Sequence, residues 1–207
     1  MGLYAKYVLP NLIDLAMRNR DTTRLRAEWI PRARGDVLEV GIGSGRNLPF
    51  YSSAVTRIYG VDPSVELQQI ARKRQQIDPG RIQFLTQSAE ECLPLANNTI
   101  DTAVITWTLC SIPEPRRALQ EIKRVLKENG RLIFVEHGHS PDHGVANWQD
   151  KLTPVWKRIT GGCHLNRKID HLIMSAGFHI SKLETRYLPG PRPMTYTYQG
   201  VADPLLQ

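Results

Sequence analysis

Cysteine is scarce in this chain, with three among 207 residues. Cys92, Cys110 and Cys163 are odd in number, lie far apart and form no C-x-x-C pair, so the sequence predicts no disulfide framework. A chain of this length buries enough surface to fold without a metal ion, and we expect none to be bound. Nothing in the first 30 residues is typical of a secretory signal, which favours a reducing, cytoplasmic location.

Long apolar runs are also absent. The longest apolar stretch near the N-terminus, residues 7–17, is interrupted by Pro10, Asn11 and Asp14. It is shorter than the roughly 20 apolar residues that a membrane-spanning helix needs. Repeats and low-complexity tracts are missing too. The composition, with 41% hydrophobic and 23% charged residues, is ordinary for a globular protein and predicts one domain over residues 1–207.

The basic residues are unevenly distributed along the chain. Lys and Arg number 27 against 20 Asp and Glu, a net charge of +7. Residues 36–140 are electrically balanced, so the excess lies in residues 1–35 and 141–207. This pattern suggests an anionic partner near the site, such as the surface of the inner membrane, or else a solvated basic face. Nucleic acid is not expected, because no basic run is interleaved with aromatic residues.

Short apolar segments alternate with helical patterns through the middle of the chain. Strands are predicted at 36–40, 57–61, 81–85, 99–106 and 130–136, and helices at 65–75 and 115–126. The alternation predicts an α/β fold with a doubly wound, mostly parallel sheet and helices on both faces.

The two ends of the chain have different patterns from the middle. Residues 1–35 are predicted to form a helical lid over the cofactor-binding core at 36–136, with Tyr4 and Tyr7 folding over the ligand. A helix that only packs on the edge of the sheet is the alternative. Residues 137–207 are predicted to supply the substrate side. We expect irregular structure over 138–162, a helix at 170–176, a strand at 178–187 and a proline-rich end that closes the edge of the sheet.

A glycine-rich loop follows the first predicted strand. Gly41, Gly43 and Gly45 allow a sharp turn and a close approach of bare backbone to a ligand. The dinucleotide fingerprint G-x-G-x-x-G fails, because Arg46 stands at its third glycine. Glu39, two residues before the loop, is costly to bury unless it meets a cation. The loop therefore favours a nucleotide ligand with a positive group over one with a pyrophosphate.

Two further sites follow the next strands. Asp62 ends the second strand 23 residues after Glu39, where a carboxylate can accept hydrogen bonds from both ribose hydroxyls. Residues 88–90 follow the third strand, where a side chain can reach the edge of an adenine ring. Ser88 has an alternative role as a helix cap.

Together, Glu39, the G-x-G-x-G loop, Asp62 and the turn at 88–90 resemble the class I S-adenosylmethionine-dependent methyltransferases over residues 36–136. The resemblance implies a Rossmann-like fold with S-adenosylmethionine as cofactor. It also implies a set of cofactor-binding residues, namely Glu39, Gly41, Gly43, Gly45, Asn47, Asp62, Pro63, Ser88, Ala89, Glu90 and Thr106.

A longer context is similar to the methyltransferase-like 7 group, on residues 110–113, 136–137, 148–156 and 162–167. Animal members of that group methylate small thiols, so the resemblance implies a small apolar thiol as methyl acceptor. Broader relatives act on quinone rings and on phosphatidylethanolamine. Methylation of a lipid head group or quinone by a peripherally docked enzyme is therefore an alternative, and a non-catalytic cofactor-binding module is another.

All six histidines lie in the last third of the chain, where an acceptor would enter. His137 and His139, at the end of the fifth strand, are the candidates for a catalytic general base. Metal ligation by these two with His143, and plain packing, are the alternatives. Cys110 and Cys163 suit a soft acceptor such as a metalloid, or a structural role. Apolar walls are predicted from three aromatic residues, Trp148, Trp156 and Tyr196.

Overall fold

The computed structural model describes residues 9–74 and 78–205. The helices in chain order are α1 (Leu9–Ala16), α2 (Arg20–Trp29), α3 (Val65–Arg74), α4 (Pro115–Val125), α5 (His143–Ile159), α6 (Ile169–Ser175) and α7 (Arg192–Thr195). The strands are β1 (Gly35–Val40), β2 (Val55–Val61), β3 (Ile82–Leu85), β4 (Ile100–Thr106), β5 (Leu126–His137), β6 (Phe178–Tyr187) and β7 (Tyr196–Pro204). None of the helices in these described residues is long and apolar enough to cross a membrane.

Seven strands form one sheet in the order β3-β2-β1-β4-β5-β7-β6. β1 to β5 are parallel to one another, and β7 runs antiparallel between β5 and β6. The prediction of a doubly wound, mostly parallel α/β sheet is confirmed. β1 lies between β2 and β4, so the strand order reverses its direction across the sheet next to β1. At such a point a crevice opens at the carboxyl ends of the strands.

The sheet has an apolar core on each face, set by the two-residue period of its strands. On β1, Leu38 and Val40 belong to the core that includes α4 and α6, whereas Val37 belongs to the core that includes α2. On β4, Ala103 and Ile105 share the first core and Val104 the second. Helices therefore cover both faces, and central strands are apolar on both sides.

The prediction of irregular structure over 138–162 is wrong, because α5 covers most of that range. Its buried side chains, Ala146, Gln149 and Thr153, recur at spacings of three and four residues and form one helical face. The Gln149 amide donates hydrogen bonds to the carbonyls of Gly138 and Pro193, which anchors the helix. Pro154 removes one backbone hydrogen bond, and the anchored face outweighs that loss.

The prediction that the C-terminal segment closes the edge of the sheet is also wrong. β7 lies inside the sheet, and β6 forms the edge. The first five residues of β7, from Tyr196 to Gly200, are all buried. The backbone groups of so deeply buried a strand need hydrogen-bond partners on both sides, which β7 has in β5 and β6.

Candidate functional site

A cavity of about 540 Å³ opens at the carboxyl ends of β1, β2 and β4. Its wall includes ten of the eleven residues for which the sequence predicts cofactor contact: Glu39, Gly41, Gly43, Asn47, Asp62, Pro63, Ser88, Ala89, Glu90 and Thr106. The eleventh, Gly45, does not line it. A volume of this size suits a nucleotide-sized ligand.

The three loop glycines have different structural roles, although all have positive φ values. A Cβ on Gly41 would lie 2.1 Å from the Thr108 hydroxyl, and one on Gly45 would lie 2.9 Å from Leu48. A Cβ on Gly43 would meet no protein atom closer than 3.8 Å. Gly41 and Gly45 are therefore required by packing, whereas the missing side chain of Gly43 leaves room for a ligand.

Glu39 is a buried carboxylate on the cavity wall, with 1% of its surface exposed. Its oxygens accept hydrogen bonds from the Tyr51 hydroxyl at 2.8 Å and the Asn47 amide at 3.0 Å, both neutral donors. Burial raises the pKa of Glu39 to about 7, against the opposing effect of these hydrogen bonds and of the Arg26 charge. A positively charged ligand group would restore its ionised form.

Asn47 links three residues of the wall. Its amide nitrogen donates to Glu39 and, at 3.0 Å, to the Thr106 hydroxyl, and its oxygen accepts a hydrogen bond from Arg26 at 3.1 Å. Arg26, which the sequence analysis missed, extends from α2 to the cavity with its guanidinium 4.7 Å from the Trp107 ring centroid. Burial lowers the pKa of Arg26 to about 10, so it stays cationic at neutral pH. Nothing in the amphipathic pattern of α2 distinguished this arginine from its neighbours.

Asp62 holds the glycine loop against the end of β2. One carboxylate oxygen accepts a hydrogen bond from the Gly43 amide at 2.9 Å, and the other accepts one from the Ser64 amide at 2.8 Å. Burial raises the pKa of Asp62 above its ordinary value, although these two hydrogen bonds oppose the shift. Each oxygen keeps a lone pair that can accept a further hydrogen bond from a ligand.

Residues 88–90 form a turn at the third side of the cavity. The Ser88 hydroxyl donates to the Glu90 carboxylate at 2.8 Å, and that carboxylate also accepts from the Glu114 amide. Residues 88–90 are not helical, so Ser88 does not cap a helix here. The hydrogen bond from the Glu114 amide to Glu90 ties this turn to the start of α4.

The connection after β4 wraps around the carboxylate of Glu136, which is fully buried at the end of β5. Glu136 accepts hydrogen bonds from the backbone amides of Thr108, Leu109 and Cys110. Trp107 has a φ of 48°, which non-glycine residues seldom adopt, and this conformation precedes the three converging amides.

The two histidines predicted as general bases do not line the cavity. The His137 ring nitrogen Nε2 lies 2.8 Å from the Cys163 sulfur. Burial alone would lower the pKa of His137, but the contact with Cys163 and the Glu136 charge raise it. His139 contributes its backbone, accepting a hydrogen bond from Tyr198 and donating one to Arg167.

The aromatic residues predicted as cavity walls lie elsewhere. Trp148 is 59% exposed on α5, and Tyr196 packs edge-on between Tyr187 and Tyr198. Neither these two nor Trp156 lines the cavity. The wall beyond the glycine loop instead consists of Trp107, Thr108 and two short segments, residues 111–113 and 160–162. Sequence periodicity gives no signal for residues 160–162, which follow the unpredicted helix α5.

The N-terminal helices contact the glycine loop through Asp14 of α1. Its carboxylate accepts hydrogen bonds from the Ser44 hydroxyl and from Arg46, Arg74 and Arg18. Burial would raise the pKa of Asp14, but these four donors lower it well below its usual range. Tyr4 and Tyr7, predicted to fold over the ligand, lie outside the described residues.

Residues 38–134 match a protein family described as a methyltransferase domain. The thiol S-methyltransferase TMT1B of Rattus norvegicus is 36% identical over 159 residues, which cover 75% of this chain and 64% of the rat protein. The thiol S-methyltransferase TMT1A of Homo sapiens is 31% identical over 182 residues, or 81% of this chain and 71% of that protein. A phosphatidylethanolamine N-methyltransferase of Cereibacter sphaeroides is 35% identical over 55% of this chain and 56% of its own length.

Solved structures of low sequence identity share the fold. An S-adenosylmethionine-dependent methyltransferase from Leishmania major gives a TM-score of 0.71 at 14% identity, covering 97% of this chain and 80% of that one. Another from Methanosarcina mazei gives 0.66 at 23% identity, covering 83% and 93%. The sheet, its helices and the glycine loop are thus those of a Rossmann-like methyltransferase fold.

The solved structures show only the fold, whereas the sequence identity to the curated relatives shows the family. The chain belongs to the class I S-adenosylmethionine-dependent methyltransferase family. It spans less than two thirds of the rat TMT1B protein, 64% of its length.

Proposed function

We propose that the cavity binds S-adenosylmethionine and that the protein transfers its methyl group to a small thiol. The observation that carries the first part is Glu39, a buried carboxylate on the cavity wall that has only neutral hydrogen-bond donors. Such a group needs a cationic ligand to stay ionised at neutral pH. S-Adenosylmethionine has an ammonium and a sulfonium group, and the open space beside Gly43 accommodates a ligand of its size.

Four residues of this chain have the chemistry to hold the different parts of the cofactor. Glu39 would bind the methionyl ammonium, and the cationic Arg26 would bind the methionyl carboxylate. The two oxygens of Asp62 would accept hydrogen bonds from the ribose hydroxyls, and the turn that begins at Ser88 would meet the adenine edge. The cofactor, once bound, supplies an electrophilic methyl carbon.

The acceptor end of the cavity favours a thiol. The wall there is made by residues 106–108, 111–113 and 160–162, and none of these described residues has an ionisable side chain. A thiol has an ordinary pKa of about 8.5 and forms a thiolate near neutral pH without a general base, whereas an alkyl ammonium must first lose a proton near pH 10. The surrounding residues exclude water and orient the acceptor.

The TMT1A and TMT1B relatives support a thiol acceptor, because both are named as thiol S-methyltransferases. A lipid head group is the second candidate for the acceptor. It is supported by the similarity to the phosphatidylethanolamine N-methyltransferase and by the basic ends of this chain. The general-base role of His137 and His139 stays a prediction, which a thiol acceptor does not require.

The test is the release of S-adenosylhomocysteine by purified protein with three acceptors in parallel. These are a small alkyl thiol, phosphatidylethanolamine in anionic vesicles, and a demethylated quinone in the same vesicles. We expect turnover with the thiol, independent of vesicles and salt. Turnover only with vesicles, abolished at high salt, would assign the activity to a lipid acceptor instead. Calorimetry with the cofactor alone separates failure to bind from failure to transfer.

A further inference from the structure

Cys110, His137 and Cys163 bring three metal-ligating atoms together outside the cofactor site. The two cysteine sulfurs and the imidazole nitrogen all lie within 4.8 Å of one another. They come from three separate segments: the turn after β4, the end of β5 and the loop after α5. Within residues 9–74 and 78–205, no fourth His, Cys, Asp or Glu belongs to this group. We refer to these three residues as the Cys-His-Cys cluster.

The backbone that carries Cys110 is fixed from both sides. Its amide donates to the Glu136 carboxylate at 3.3 Å, and its carbonyl accepts a hydrogen bond from the His164 amide at 2.9 Å. Arg167 donates to the carbonyls of Leu109 and Ile112 on either side. The bond to His164 also joins the Cys110 segment to the residue after Cys163. The backbone that carries Cys110 is therefore held beside the segment that carries Cys163, and such support is what a preorganised metal site requires.

The Cys-His-Cys cluster adjoins the acceptor end of the cavity. Ser111 and Gly162, which follow and precede the two cysteines in sequence, both line the cavity. Cys110 is buried and Cys163 partly buried, so bulk solvent has limited access to the sulfurs. The two cysteines thus each lie one residue away from the cavity wall at its acceptor end.

We propose that the Cys-His-Cys cluster binds Zn²⁺ through two thiolates and one imidazole, with a fourth coordination position open to the acceptor thiol. Among the biological divalent metals, Zn²⁺ is the one that is commonly bound by cysteine thiolates together with imidazole. Zn–S bonds of about 2.3 Å and Zn–N bonds of about 2.0 Å place tetrahedral ligands a little under 4 Å apart. The His137 nitrogen and the Cys163 sulfur, now 2.8 Å apart, would separate by about 1 Å to reach this spacing, and all three ligand atoms already lie within 4.8 Å of one another.

The charges balance through proton release. Each cysteine thiol loses a proton to solvent as its Zn–S bond forms, and neutral His137 donates its lone pair. Zn²⁺ sites with three protein ligands keep a water in the fourth position. An acceptor thiol displaces that water and releases its own proton, which leaves a bound thiolate. The role of this fourth position rests on the proposed thiol acceptor, whereas Zn²⁺ binding itself does not.

Metal content and cobalt spectroscopy of the full chain test the site without measuring turnover. The protein is expressed with zinc, analysed by mass spectrometry for bound metal, stripped with a chelator and titrated with Zn²⁺ or Co²⁺. Co²⁺ bound to thiolates in a tetrahedral site absorbs in the near ultraviolet and visible. A small alkyl thiol is then added to the Co²⁺ protein without cofactor.

Contrary to the prediction from the sequence that no metal is bound, we expect one equivalent of Zn²⁺ and a tetrahedral Co²⁺ spectrum that changes when the thiol is added. Cys163→Ser should weaken Zn²⁺ binding by on the order of 100-fold, and His137→Ala by a similar factor. The matched control is Cys92→Ser, since Cys92 is an exposed cysteine outside the cluster, and it should bind Zn²⁺ like the unmodified chain. Partly buried Cys163 is the better first target, because removing the sulfur of buried Cys110 also disturbs packing.

Each alternative result has a defined meaning. No bound Zn²⁺ in the folded chain, or equal loss in Cys92→Ser, would overturn the site. A Co²⁺ spectrum unaffected by the thiol would overturn the acceptor role. A spectrum that responds to the thiol in a protein that does not methylate it would leave the site standing and remove the proposed function.

Discussion

The two ends of the cavity are built in different ways. The cofactor end has Glu39, Gly43, Asp62 and Ser88, each in or beside the loop that follows one of the first three strands. The acceptor end combines residues 106–108 and 111–113 with residues 160–162, which are separated from them in sequence by α4, β5 and α5. At the cofactor end, buried carboxylates have unfilled hydrogen-bonding capacity. At the acceptor end, the wall is uncharged, and sulfur and imidazole groups lie behind it.

The fold determines the position of the cofactor site, whereas the acceptor determines which residues form the acceptor site. Strand ends of a doubly wound sheet always meet at one edge, so a cofactor site there needs only the correct residue after each strand. An acceptor site must instead be assembled from insertions and loops whose positions depend on tertiary packing. The two ends should therefore respond independently to substitution, and four experiments address this.

The largest expected effect is at Gly43. Gly43→Leu places a side chain in the open space of the cavity, and cofactor affinity should fall by on the order of 100-fold, by calorimetry. Gly43→Ala controls for the strain of a side chain at a φ of 51°, and should cost less affinity. Zn²⁺ content should stay unchanged in both variants. Normal cofactor binding by Gly43→Leu would contradict the assigned loop geometry.

Asp62→Ala should weaken cofactor binding by about 10-fold or more, because two charge-assisted hydrogen bonds to the ribose are lost. Asp62 also holds the amides of Gly43 and Ser64 through its two oxygens, so Asp62→Asn, which keeps one accepting oxygen, serves as a control that loses only one of these contacts. Calorimetry and thermal unfolding should be measured together. An affinity equal to that of the unmodified chain would remove Asp62 from the ribose site.

Glu39 should make cofactor binding depend on pH. Its pKa is raised to about 7 in the free protein, and protonation removes the negative charge that attracts the ammonium group. Affinity should therefore fall as the pH falls through 7, by about tenfold between roughly pH 8 and pH 6. Below pH 7, binding should release a proton that calorimetry in two buffers detects. Glu39→Gln should bind weakly and without this dependence, which distinguishes Glu39 from Asp62.

The smallest expected effect is at Asp14. Asp14→Asn preserves the shape of the side chain but leaves three arginines opposite a neutral group. Docking of α1 on the glycine loop should weaken by about 1 kcal/mol, and cofactor affinity should fall about fivefold, since Met17 of the same segment lines the cavity. Hydrogen exchange in α1 should accelerate. Unchanged exchange would show that other contacts hold this helix.

Much of the fold follows from local sequence. The strands β1, β2 and β3 are short runs rich in apolar residues that are followed within three residues by Gly41, Asp62 and Ser88. The alternation of strands with helices predicts a parallel sheet. The helix α5 could not be predicted, because Pro154 and the polar anchor Gln149 interrupt its apolar pattern. The interior position of β7 depends on pairing with β5 and β6, which no local pattern reveals.

The candidate site divides in the same way. Glu39 and Asp62 have a recognisable distance from the glycine loop, and the structure places both on the cavity wall. Arg26 reaches that wall only because α2 packs across the sheet. The contact between His137 and Cys163 arises because the loop after α5 folds back onto the end of β5. Such contacts between distant segments carry no signal in residue type or spacing.

The interior position of β7 also has a consequence for how the chain is synthesised. β5 ends at residue 137, and its free edge stays unpaired until residues 196–204 have emerged. β6 pairs with β7 alone, so it cannot join the sheet before β7 is available. A nascent chain therefore exposes an aggregation-prone edge while roughly the last third of this sequence is translated, and a premature stop within β7 would leave that edge open permanently.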